Sequence, residues 1–192
     1  MNEHARAVAA ERLRKVARAL EEVNLELVYI GASVLPLLAD VTDRCAAPRV
    51  TKDVDAVAGT ATYSARGRIE EALRARRFRH DVLGHAGRWI SPTGETLDLS
   101  FAGDHLGGTG AAVDALGIAT AVELPGDPPV RHLSPLGFFL MKVAAFNDRG
   151  RSSPHASKDL ADIAVLLAGC PSLTSVMLDA NEDVRRVVGD AA

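Results

Sequence analysis

Arg49-Val50-Thr51-Lys52-Asp53-Val54-Asp55-Ala56-Val57 is the stretch that decides the fold of this 192-residue chain. Lys52 to Ala58 reads as a strand closed by Gly59-Thr60. Alternate residues of a strand face the same side, so Asp53 and Asp55 point together while Val54 and Ala56 point the other way. Two neighbouring carboxylates repel and cost stability unless a cation or a donor compensates. A hard divalent ion such as Mg²⁺ suits that role, because it takes oxygen ligands and shares them with phosphates. Taken alone, Asp-x-Asp also reads as the solvated end of a strand.

Working outward, Arg88–Ser91 and Glu95–Phe101 read as a hairpin joined by Pro92-Thr93-Gly94. Asp98 faces away from Leu97 and Leu99, as an exposed strand residue does. If its strand lies beside the first, three carboxylates converge. Two would bridge metals, and the third could ligate one metal and take a proton from an attacking hydroxyl, as in-line displacement at phosphorus requires. Upstream, the run Glu26–Ile30 ends in Ile30-Gly31-Ala32-Ser33, where a strand gives way to a helix from Ser33 with Pro36 in its first turn. Gly31 lets backbone approach a phosphate closely, the helix start offers N–H groups, and the Ser33 hydroxyl adds a donor or caps the helix. A plain glycine turn with a serine cap is the simpler alternative.

The remaining segments complete an α+β pattern. Residues 3–22 carry Val8, Leu13, Val16, Ala17 and Leu20 at helical spacing. Tyr63–Arg77 is a charged helix that buries Ile69, Leu73 and Phe78. Thr42–Pro48 reads as a loop, Gly103–Gly110 as a glycine-rich mobile loop, and Ile118–Leu124 as a strand. Pro125–Pro129 is the best boundary, dividing a core over 1–126 from a helical subdomain over 127–192. Ser134-Pro135 signals an N-cap with proline at the first helical position, opening a helix to about Asp148. A polar loop over 149–156 precedes a helix over Ser157–Ala168, stopped by Gly169 and Pro171.

Composition bounds the chemistry. Hydrophobic residues make up 47% and the net charge is −3, so a nucleic-acid partner would need a local basic patch. Arg74, Arg76, Arg77 and Arg79 offer one, or else a solvated helix face. Cys45 and Cys170 have no metal-ligand spacing, and the six histidines form no spaced pair. The charged N-terminus is unlike a signal peptide, and no apolar run reaches the ~20 residues that span a bilayer. A cytoplasmic protein without membrane contact is the expectation.

The order Gly31-Ala32-Ser33, then Asp53-Val54-Asp55, then Asp98 resembles the nucleotidyltransferase superfamily of the DNA polymerase β type. The resemblance implies a mixed β-sheet flanked by helices, with a C-terminal helical extension. It also implies that Gly31, Ala32 and Ser33 bind a nucleoside triphosphate, and that Asp53, Asp55 and Asp98 hold Mg²⁺. Downstream, Met141-Lys142-Val143-Ala144-Ala145-Phe146, Asp148-Arg149-Gly150 and Lys158-Asp159-Leu160-Ala161-Asp162 are similar to the third motif of the AbiEii toxin family. That likeness implies that Lys142 meets the triphosphate and that Lys158 and Asp159 support the site. It further implies a toxin with a cognate antitoxin and an acceptor hydroxyl on tRNA or protein. Lys142, within an apolar helix, must either snorkel to water or meet an anion. Asp53→Ala and Lys142→Ala are expected to lose transfer activity and keep the fold. Competing expectations are a nucleotidyltransferase with a small aminoglycoside-type acceptor and a non-catalytic nucleotide-binding module.

Overall fold

The structure is a computed structural model that describes residues 2–40, 51–59, 62–101 and 121–179. The predicted loops at 42–48 and 103–110, Cys45 and the tail from 180 lie outside the described residues. In chain order come α1 (Asn2–Leu20), a 3₁₀ turn (Glu21–Glu26), β1 (Leu27–Ile30), α2 (Leu35–Leu38), β2 (Asp53–Ala58) and α3 (Tyr63–Ala75). Then follow β3 (Arg79–His80), β4 (Arg88–Ile90), β5 (Thr96–Phe101), β6 (Ala121–Leu124) and β7 (Val130–Leu133). Helix α4 (Pro135–Ala145), a π turn (Phe146–Gly150), α5 (Lys158–Gly169) and α6 (Ser172–Leu178) complete the described chain.

The seven described strands form one mixed sheet in the order β3-β4-β5-β2-β1-β7-β6. β1 runs antiparallel to β2 and parallel to β7, and β2 runs parallel to β5. This is the predicted α+β class, and its layers follow from strand alternation. Along the fully buried β1, Leu27 and Tyr29 enter one core with α1 and α3, while Val28 and Ile30 enter a second with α4, α5 and α6. On α1, Leu13, Val16, Ala17 and Leu20 are completely buried, as their spacing predicts. Each such large side chain contributes roughly 1.5–3 kcal/mol, ample to seat the helix.

β2 applies the same alternation unevenly. Val54, Ala56 and Ala58 all enter the first core, but of the opposite face only Val57 enters the second. Asp53 and Asp55 occupy the rest of that face. Pro125–Pro129 links β6 to β7, and β7 joins the sheet beside β1, so the segment after 126 begins as a strand. Asn24 ties this turn to the core, donating to Pro129 O at 2.8 Å and accepting from the buried Tyr29 hydroxyl at 2.9 Å. Among the described residues, no single helix is long and apolar enough to cross a membrane.

Candidate active site

The parallel pairing of β2 with β5 sets Asp53 opposite Thr96 and Asp55 opposite Asp98. Leu97, Leu99 and Phe101 enter the first core, which turns Asp98 and Ser100 to the face shared with Asp53 and Asp55. All three carboxylates therefore lie on one face of adjacent strands. A cleft of about 620 Å³ opens over that face, with Asp55, Asp98 and Ser100 on the sheet side. Gly31 and Ala32 close one end, and Lys142, Arg149, Lys158 and Asp159 form the helical wall.

The turn after β1 meets the second carboxylate directly. Gly31 has φ +72°, and a Cβ there would lie 2.1 Å from Asp55 Oδ2. Only glycine tolerates both the left-handed backbone and that approach. We expect Gly31→Ala to cost about 1–3 kcal/mol through strain and displacement of Asp55. Urea denaturation checks this, and an unshifted midpoint would show that the turn adapts. Ser33 departs from the expected cap. It is buried and donates to Ile30 O at 3.2 Å, while α2 begins at Leu35, after Val34, with no side-chain cap. Serine and threonine make such backward bonds in competition with capping. α2 is also only four residues long, so it adds little dipole at the turn.

The carboxylates are not empty-handed. Arg88, on β4 opposite Asp98, donates to both Asp98 oxygens at 2.8 Å and to Asp53 Oδ2 at 3.1 Å. His85 Nε2 lies 3.0 Å from Asp98 Oδ1, and its Nδ1 accepts from Gly87 N–H, so Nε2 carries the proton. Burial alone would raise the Asp98 carboxyl, but hydrogen bonds from Arg88 and His85 outweigh it and hold it below its ordinary value. The same bond to Asp98 fastens the proton on Arg88. Among the described residues, no three His, Cys, Asp or Glu side chains are gathered into a ready metal centre. The sheet makes the carboxylates neighbours, but their side chains are arranged around a guanidinium.

A second charged cluster forms the wall. Ser134 caps α4 by accepting from Gly137 N–H at 3.1 Å, with Pro135 next, as predicted. Ser157 caps α5 the same way through Leu160 N–H. Lys142 does not snorkel. Its Nζ lies 2.9 Å from Asp159 Oδ1 and 2.7 Å from Asp162 Oδ2, with all three side chains at most 7% exposed. The α4 helix ends at Ala145, earlier than predicted, and a π turn carries the chain to Gly150. Gly150 lies so near the Phe146 ring that a Cβ would approach it to 2.4 Å. From this turn Arg149 reaches back to Asp159, with Nε 3.0 Å from Oδ2. Burial would raise the Asp159 carboxyl, yet Arg149 and Lys142 together hold it low.

Of the predicted residues, then, Gly31, Ala32, Asp55, Asp98, Lys142, Lys158 and Asp159 share one cleft. Asp53 joins through Arg88, and Ser33 turns inward. Arg88 and His85 were absent from the expected site. The hairpin itself could have revealed Arg88, because pairing outward from the turn at 92–94 sets Ile90 against Thr96, Trp89 against Leu97 and Arg88 against Asp98.

No protein-family model matches this chain, and no curated protein matches it. The solved structure of an antigenic nucleotidyltransferase-like protein from Paracoccidioides brasiliensis is similar, with a TM-score of 0.52 and 18% sequence identity. The alignment covers 94% of this chain and 87% of that one. At that identity the likeness establishes a nucleotidyltransferase-like fold.

Proposed function

We propose that the cleft is the active site of a Mg²⁺-dependent nucleotidyltransferase that moves a nucleoside monophosphate onto an acceptor hydroxyl of tRNA or protein. The observation that carries this reading is Asp55 and Asp98 side by side on adjacent parallel strands, facing a cleft whose end is the Gly31 turn. The donor set suits the ion: three carboxylates supply only hard oxygen ligands. Their repulsion already calls for a cation, which Arg88 supplies at Asp53 and Asp98. Asp53, Asp55 and Asp98 would hold Mg²⁺, which when bound offsets negative charge on the phosphates.

The acceptor oxygen bonds to the α-phosphorus, the bond from that phosphorus to the bridging oxygen breaks, and pyrophosphate departs with the electron pair. Asp98 is the carboxylate assigned to receive the hydroxyl proton. The Gly31-Ala32 turn lets backbone approach the triphosphate. Lys142 is occupied by two aspartates, so Lys158, exposed on the rim, and Arg149 are better disposed than Lys142 to meet the phosphates. Lys142 and Asp159 act as the frame of that wall.

We also propose that the enzyme is the toxin of an AbiEii-like pair with a cognate antitoxin. The support is that Lys142, Arg149, Asp159 and Asp162, distributed over the downstream motif, come together as one cluster. The test incubates the full chain with each α-labelled nucleoside triphosphate, Mg²⁺ and total tRNA. Label on RNA or on the protein itself, abolished by chelation, is the expected result. Label on neither with every nucleotide would remove the enzymatic reading.

A further inference from the structure

Arg88 holds the position that the proposed function reserves for a metal. It contacts both oxygens of Asp98 and bridges to Asp53, and His85 adds a second donor to Asp98. A bidentate guanidinium on a carboxylate is among the stronger polar contacts a protein makes, and it uses the lone pairs a metal would need. Asp98 is largely buried, with its side chain only 12% exposed, so water competes weakly for it. Arg88 itself sits on β4, next to the turn residues 81–87, and its side chain is 27% exposed, so the guanidinium reaches solvent.

We propose that Arg88 is a built-in counter-ion that competes with the divalent cation for Asp98 and Asp53, so that the free protein binds metal weakly. Resting on the proposed function, this adds the residue that controls when the site is loaded. With Arg88 in place the repulsion between Asp53 and Asp98 is offset without metal. Metal enters only as the guanidinium withdraws. His85, which donates to one oxygen only, is the lesser competitor.

The test measures Mn²⁺ binding to the full chain by electron paramagnetic resonance of the free ion, with no nucleotide present. Arg88→Met is expected to bind Mn²⁺ on the order of tenfold more tightly than the unsubstituted protein. Arg88→Lys, which keeps the charge but loses the bidentate fork, should fall between them. Arg68→Met is the charge control, because it removes one cation from an exposed pair with Glu26, away from the cleft. It is expected to leave the affinity unchanged, and an equal gain there would overturn the proposal by assigning the effect to net charge. A thermal melt of Arg88→Met with and without Mn²⁺ shows whether the variant folds. Restoration of its melting temperature by Mn²⁺, to a degree the unsubstituted protein does not show, supports the proposal. Equal Mn²⁺ affinity in the Arg88→Met and unsubstituted chains overturns the counter-ion role and leaves the proposed function standing. Binding by neither chain overturns the counter-ion role, and the label-transfer test decides the proposed function.

Discussion

Lys142→Ala should destabilise the protein by about 3–5 kcal/mol, the range for removing one partner of a buried ion pair. Its Nζ answers Asp159 and Asp162, and all three side chains are nearly inaccessible. Removing the ammonium takes from Asp162 a contact at 2.7 Å and leaves Asp159 paired with Arg149, whose side chain is 55% exposed. For a chain of this size the melting temperature should drop on the order of 10 °C. This reverses the expectation from sequence that Lys142→Ala keeps the fold and loses only chemistry. The companion variant Lys142→Met with Asp162→Leu, which removes the ammonium and one buried carboxylate together, should recover much of the loss because both charges of a buried pair go at once. Chemical denaturation of both decides it. A Lys142→Ala protein as stable as its parent would mean that the lysine is not committed to the two aspartates.

Asp55→Asn should lower nucleotidyl transfer by a hundredfold or more, on the order of the several kcal/mol that charge stabilisation at phosphorus supplies. The substitution preserves shape and the contact with Gly31, removing only a charge from an acidic face. Circular dichroism should show the folded protein. The measurement is the initial rate of label transfer at saturating nucleotide and Mg²⁺, compared with the parent chain. A rate within a factor of two would strip Asp55 of any part in the chemistry. The same pair of proteins tests the toxin reading, since expression of the parent should arrest growth and expression of Asp55→Asn should not.

Local rules fix much of this site. The period of two along 53–57 and 96–101 puts three acids on faces opposite Val54, Leu97 and Leu99, and the strands obey it there. Ser134-Pro135 and Ser157 mark helix starts because capping is a contact across three residues. The failures are of two kinds. At Ser33 two local options compete, and the hydroxyl bonds backward rather than capping a helix that lasts one turn. Elsewhere the deciding partner is remote in sequence. The sequence leaves Lys142 between snorkelling and an anion, and in the structure two aspartates on the neighbouring helix meet it. β7 carries a faint strand signal, because it is four residues long and contains Arg131 and His132. It forms by pairing antiparallel with β6 at four positions and parallel with the distant β1 at Tyr29.

The two sides of the cleft have different architectural debts. The acids stand on β2 and β5, paired over six consecutive residue positions, while the opposing lysines and arginine project from helices joined by a π turn and an exposed polar connection. The floor can therefore change little without unseating Val54, Ala56 or Leu97 behind it. The exposed connection over 151–156 can lengthen or exchange residues at small cost. Diversification of what such a molecule accepts should accordingly accumulate along 151–156, leaving the acidic floor as the inherited part.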